Sequence, residues 1–514
     1  MMEQDIFPSA VDGPLLLLRL PPELLSVVVD ASASPLRTYL RLLSLCRATR
    51  TAVRGTPREL SFIFGGDDDE LVPEGVFPTP DALAALVGPC KGLVELTLPA
   101  EIDPSICHRE EVIGAPWVSE AFTGHDHLAV LKVPAAAVLM PTLPNIVGCL
   151  PGLEELHLGG PDLSRHTWWH QKDAMAAYLH RGFCSFLGAL SRSCPRLRAL
   201  HHTMQLPGLT ADDLLPIAGQ LTDLQVPDMK SSQLSAHFLE SLTSVQRLTL
   251  GWCPDTLLHS VVASRLTQLR LRLSDTSPGL AGVAGLCRLE TLQVSLWCNP
   301  STAATFGRLL DANMNTLRTV LLAADCDGRA EGPIQASMLL DPLSRLPHLT
   351  ALTVTMNGVR GGAPPSPGVV IACLTPGLLD RLEHLTVDLG GDHDISTIST
   401  IRVAGRRPRT LHLAVHHIPL DLIALELACP RLEKLALPEG AITYPCPSLG
   451  GLMMDCPQLS SIEGFPRGVT HSGHGHAQPD PGACAVSVQW VTNSAADPGR
   501  GAPAARSVAR SLRR

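Results

Sequence analysis

Leucine returns along this chain at a fixed short spacing. The string L-x-x-L-x-L stands at Leu93–Leu96–Leu98, Leu153–Leu156–Leu158, Leu266–Leu269–Leu271 and Leu432–Leu435–Leu437, and Leu382–Leu385–Val387 is a further copy. Weaker copies fill the gaps, so that units begin at residues 93, 128, 153, 197, 221, 245, 266, 289, 317, 349, 382, 408, 432 and 459. The end of each string alternates apolar and polar residues, the period of a half-buried strand. Its leucines face a core, and the residues between them face the other way. A motif that recurs along most of a chain describes stacked units sharing one continuous core, not a body built around one pocket.

Several of the intervals match the roughly 20–29 residues of a leucine-rich repeat. The expected fold is therefore α/β: a leucine-rich repeat solenoid with a curved parallel sheet on the concave side. Helices or irregular segments return the chain on the convex side. The long interval from 153 to 197 contains Asp173–Ser193, whose Met175, Leu179, Phe183, Phe186, Leu187 and Leu190 follow helical spacing. Residues 1–13 read as a flexible leader. Residues 14–62 read as a small helical domain. Pro21 and Pro22 suit a first helical turn, and Leu36, Tyr39, Leu40, Leu43 and Cys46 form the apolar face of a second helix. Residues 63–79 form a linker that includes the acidic run Gly65–Glu70, and the repeats occupy 80–465. Residues 466–514 are rich in Gly, Pro, Ala and Arg and read as a disordered tail, with Ala485–Val491 alone strand-like.

Composition narrows the function. Aliphatic rather than aromatic residues fill the core, since 45% of residues are hydrophobic but only 4% aromatic. The net charge is −9, with no concentrated basic face, so nucleic acid is not an expected partner. No apolar run is long enough to span a membrane, and Leu15–Leu18 is too short and interrupted to serve as a signal peptide. The 15 cysteines form no C-x-x-C pair. Cys90, Cys194, Cys429 and Cys456 sit just before a repeat leucine, where a reduced thiol behaves as a small apolar residue. Reduced thiols imply a cytoplasmic or nuclear location.

The segment Leu20-Pro21-Pro22-Glu23-Leu24-Leu25, followed by Leu40–Leu45 and Cys46-Arg47, resembles an F-box. Cys194-Pro195-Arg196-Leu197, Cys429-Pro430-Arg431-Leu432 and Cys456-Pro457-Gln458-Leu459 resemble the C-P-x-L openings of cysteine-containing leucine-rich repeats, which commonly follow an F-box. The resemblance implies a substrate-recognition adaptor of a Skp1–cullin–F-box ubiquitin ligase. Leu20, Pro21, Leu24, Leu25 and Val28 would dock on a Skp1-like protein while the repeats hold an unidentified protein substrate. The alternative is a repeat scaffold whose N-terminal helices only cap the stack.

The substrate-facing candidates are the outward residues of the strands: Glu155, His157, Arg247, Thr249, Gln268, Arg270, Thr291, Gln293, Thr353, His384, Thr386, His412 and Lys434. No G-x-S-x-G, phosphate loop or H-E-x-x-H is present, so no catalytic residues, cofactor or metal are expected and the chain is read as a non-enzyme. His201-His202 and His416-His417 occupy successive strand positions. One member of each pair should face inward, which argues against metal ligation.

Overall fold

The computed structural model describes residues 57–61, 80–98, 116–134, 142–159, 172–204, 209–227, 229, 233–253, 265–273, 288–327, 332–359, 367–390, 399–415, 423–436, 451–463 and 487–490. The chain divides into two compact units, Met1–Thr249 and Leu250–Arg514.

In the first unit the strands are β1 (Glu59–Ser61), β2 (Glu95–Thr97), β3 (Val130–Val133), β4 (Glu155–Leu158), β5 (Ala199–His202) and β6 (Asp223–Val226). They pair in parallel and in chain order. The next strand, β7 (Arg247–Cys253), begins where Gln246 and Arg247 donate their backbone N–H groups to Thr222 O. Register follows the leucines: Leu96, Leu131, Leu156, Leu200 and Leu224 stand opposite one another, and all are fully buried.

Among the described residues, six helices back this sheet: α1 (Pro80–Val87), α2 (Pro116–Phe122), α3 (Leu143–Gly148), α4 (Lys172–Ser193), α5 (Leu215–Ala218) and α6 (Ala236–Ser241). Each packs on the next, so the helices stack in the same order as the strands. Proline opens α1 and α2 and stands in the first turn of α3 and α5, where a missing N–H costs nothing. Cys90 and Cys194 lie in the turn before each strand, buried as expected. The Cys194 thiol donates toward Val147 O and Leu150 O of the preceding repeat.

The second unit repeats the plan with longer strands: β8 (Gln268–Leu273), β9 (Thr291–Trp297), β10 (Thr319–Asp327), β11 (Ala351–Val359) and β12 (His384–Gly390). All pair in parallel in chain order. Their return limbs include α7 (Pro300–Ala312), α8 (Gly332–Leu340), α9 (Pro367–Cys373) and α10 (Pro376–Leu379). Asn299 caps α7 by accepting the Thr302 N–H. Buried Asn313 ties the following turn to the previous repeat, accepting from Leu289 N and donating to Leu309 O.

After β12 the return limbs change. The chain alternates between β13 (Ser399–Ala404), β14 (Thr410–Val415), β15 (Ile423–Ala428), β16 (Lys434–Ala436), β17 (Gly451–Asp455), β18 (Ser461–Glu463) and β19 (Ser487–Trp490). Even-numbered strands continue the main sheet, while β13, β15, β17 and β19 form a second parallel sheet. Helices α9 and α10 pack on β13, so the helical layer hands over to a strand layer. This corrects the expectation of helical or irregular returns. The limbs between these closely spaced repeats are short, and an alternating stretch such as Ile401-Arg402-Val403, buried–exposed–buried, satisfies its backbone groups against the next limb.

Two strands lie outside the expected repeats. β1 falls at the end of the 14–62 segment read as helical and pairs with β2. β19 falls in the tail, within its strand-like Ala485–Val491. The F-box-like residues Leu20, Pro21, Leu24, Leu25 and Val28 lie outside the described residues. No described helix is long and apolar enough to cross a membrane.

Candidate functional site

The register that aligns the leucines also aligns the residues between them on the sheet face turned away from the helices. First positions read Glu95, Val130, Glu155, Ala199 and Asp223, and third positions read Thr97, Lys132, His157, His201 and Gln225. Parallel neighbours lie about 4.8 Å apart, within reach of one another's polar groups. A connected row results. Lys132 Nζ is 2.5 Å from Glu95 Oε1, and His157 Nε2 is 2.5 Å from Glu155 Oε1. The His157 and His201 rings are tilted against each other with centroids 4.1 Å apart. His201 Nε2 is 3.7 Å from Asp223 Oδ2, to which Arg247 Nε donates at 2.9 Å. Gln225 Nε2 lies 3.4 Å from both Asp223 Oδ1 and His201 Nε2.

Asp223 is the anchor of this row. Only 3% of its surface is exposed, although it stands on the outward side of its strand. Burial alone would raise its carboxyl, but the neighbouring His201 imidazole, the Arg247 charge and the Gln225 amide together hold it below the usual range. His157 moves down because burial opposes its charged form, aided by His201 and Lys132 and resisted by Glu155. The carboxylates and imidazoles engage one another, so the side chains of the row are held in place by mutual contacts.

Of the residues singled out from sequence, Glu155, His157 and Arg247 belong to this row, while Thr249 follows Arg247 two positions on, half-buried. In the second unit Gln268, Arg270, His384, His412 and Lys434 are exposed, and Thr291, Gln293, Thr353 and Thr386 are half-buried. Register sets Gln268 beside Thr291, Arg270 beside Gln293 and Thr386 beside His412, and His384 Nδ1 meets Thr410 Oγ1 at 2.8 Å. They form neighbour pairs rather than one extended network.

Sequence reasoning missed Glu95, Lys132, His201, Asp223 and Gln225. His201 and His202 do face opposite ways, as expected, but the inference that this excludes ligand geometry does not hold. The outward member meets Glu155 and His157 across the strand boundary, and the three could hold a metal ion. Two features count against that use. The Glu155–His157 contact is a hydrogen bond, shorter than the roughly 3.3 Å between ligand atoms on one tetrahedral zinc. Lys132 also adds repulsive charge beside His157. The missed signal was the alignment of third positions between adjacent repeats, not the spacing within one.

No protein-family model matches the chain, and no curated protein does. Among solved structures it is similar to Toll in the Toll–Spatzle complex, described as a molecular hub in Drosophila development and innate immunity. That match has 13% identity and a TM-score of 0.29 over 73% of this chain. It is also similar to TLR13 in complex with ssRNA13, at 12% identity and a TM-score of 0.27 over 75% of this chain. The match spans 52% of the Toll chain and 68% of the TLR13 chain, so this chain covers about half of Toll. The fold rests on the strand register itself: in-register leucines on parallel strands with stacked returns make this chain an α/β leucine-rich repeat solenoid.

Proposed function

We propose that this chain is a protein-binding adaptor without catalysis of its own. The sheet face grips a protein substrate, and the F-box-like residues Leu20, Pro21, Leu24, Leu25 and Val28 dock on a Skp1-like subunit of a cullin–RING ubiquitin ligase in the cytoplasm or nucleus. The carrying observation for the grip is the row from Glu95 to Arg247, fixed in place by its own ion pairs before any partner arrives. Such pre-organisation lowers the ordering cost of binding. The adaptor role rests on the F-box-like string and the C-P-x-L openings of the repeats. In that role the chain contributes proximity and orientation, and other subunits perform the chemistry.

One observation favours the second reading, in which the N-terminal segment caps the stack. β1 pairs with β2, so the end of residues 14–62 is built into the sheet. Deleting residues 1–62 would therefore damage the sheet under either reading. Point variants separate the two. The intact chain is mixed with a purified Skp1-like protein, alone and as the double variant Leu24→Asp, Leu25→Asp. The adaptor reading expects a stable complex that the double variant loses and that Arg247→Ala retains. A folded wild-type chain that fails to bind leaves only the scaffold.

A further inference from the structure

A second cluster lies on the helical side of the first unit. His180 and Cys184 are four residues apart on α4, so they share one face of the helix. Asp213 comes from the 3-10 turn Ala211–Leu214 that follows β5. His180 Nε2 lies 3.2 Å from Asp213 Oδ2, Cys184 Sγ lies 3.6 Å from Asp213 Oδ1, and Cys184 Sγ lies 3.7 Å from His180 Nε2. One ligand atom from each residue falls within a single small sphere.

The two separations made by Cys184 Sγ, to Asp213 Oδ1 and to His180 Nε2, are close to a particular geometry. A tetrahedral zinc with bonds of about 2.3 Å to sulfur and about 2.0–2.1 Å to nitrogen and oxygen holds its ligand atoms about 3.3–3.6 Å apart. The carboxylate is also steadied from behind: Thr210 donates its backbone N–H at 2.8 Å and its hydroxyl at 2.9 Å to Asp213 Oδ2. An outer-shell clamp of this kind orients a ligand and leaves the other oxygen, Oδ1, turned toward the thiol. Thiolate with imidazole favours zinc over magnesium or calcium. Cys184 is exposed and His180 is half-buried, so the fourth position is open to solvent.

We propose that His180 Nε2, Cys184 Sγ and Asp213 Oδ1 bind a zinc ion with water in the fourth position, tying α4 to the turn after β5. Without the metal, the Cys184 thiol lies against the Asp213 carboxylate. Zinc entry forms the S–Zn bond and releases the thiol proton to solvent. The ion's two charges are then balanced by the thiolate and the carboxylate.

The test uses the full chain, reduced, stripped with a chelator and titrated with Co²⁺ as a coloured substitute for zinc. One equivalent should produce a thiolate-to-cobalt charge-transfer band and the intense visible bands of four-coordinate cobalt, and Zn²⁺ should bleach both. Cys184→Ser should abolish the charge-transfer band and weaken binding by more than about tenfold, the scale lost on removing even an outer-shell partner. His180→Gln should dim the visible bands. Zinc should raise the Tm of the wild type and not of Cys184→Ser. Because Cys184 is exposed, its serine variant keeps the core intact and decides the matter if His180→Gln misfolds. A wild-type chain without the thiolate band, or a band that survives Cys184→Ser, overturns the proposal.

Discussion

His201 and His202 are neighbours in β5 with opposite surroundings. His201 joins the polar row, whereas His202 is only 4% exposed, packs edge-on against Phe183 with centroids 5.2 Å apart, and has no hydrogen-bond partner for Nε2. Burial drives its pKa down to about 4. The folded chain therefore refuses a proton that the unfolded chain accepts below about pH 6.5. Stability from this residue is full above that value and is lost as pH falls toward 4. The loss should reach about 2 kcal/mol by pH 5. Urea midpoints at pH 7.5 and 5 should separate more in the wild type than in His202→Leu, and equal separations would show that His202 carries none of the acid sensitivity. Cys194 and Cys429 illustrate the same physics with the opposite sign: burial raises both thiols to about 12, so they stay protonated and inert.

At the scale of elements, each of the fourteen unit starts read from the leucines precedes an observed strand of the main sheet by two residues, from Glu95 in β2 to Ser461 in β18. Such precision comes from a chemical constraint: a strand slipped by one residue would turn every buried leucine outward. The run Asp173–Ser193 was likewise legible as α4, because its apolar residues follow a helical period. The second sheet was not legible. Each unit start marks one strand, and β13 alternates apolar and polar residues without the leucine motif. The polar row escaped for a related reason, since its members lie in different repeats and meet only through register. Tight turns between elements carry their own constraint. A Cβ at Gly152 would stand 2.2 Å from the backbone oxygen of Asp126 in the preceding repeat. That oxygen belongs to backbone and cannot swing aside. Gly152→Ala should cost about 1–3 kcal/mol in chemical denaturation, the usual penalty for overpacking. An unchanged midpoint would mean that the two turns are free to separate.

For the molecule as a whole, a stack of repeats is stabilised by terms that act mostly between neighbours. Leu131 in the first unit and Leu352 in the second are each fully buried. Truncating either to alanine should cost about 2–5 kcal/mol, and the double variant should equal the two losses together within about 0.5 kcal/mol. A marked departure from that sum would reveal long-range coupling. The regular pairing of β2 to β6 has a geometric consequence for whatever lies on the sheet face. Its rungs form a comb with teeth about 4.8 Å apart. An extended peptide laid across the strands presents same-side residues about 6.8 Å apart and loses phase within a few teeth. A helix with turns spaced by about 5.4 Å stays in phase for longer, so the spacing of the comb suits a helical guest better than an extended one under the proposed binding role.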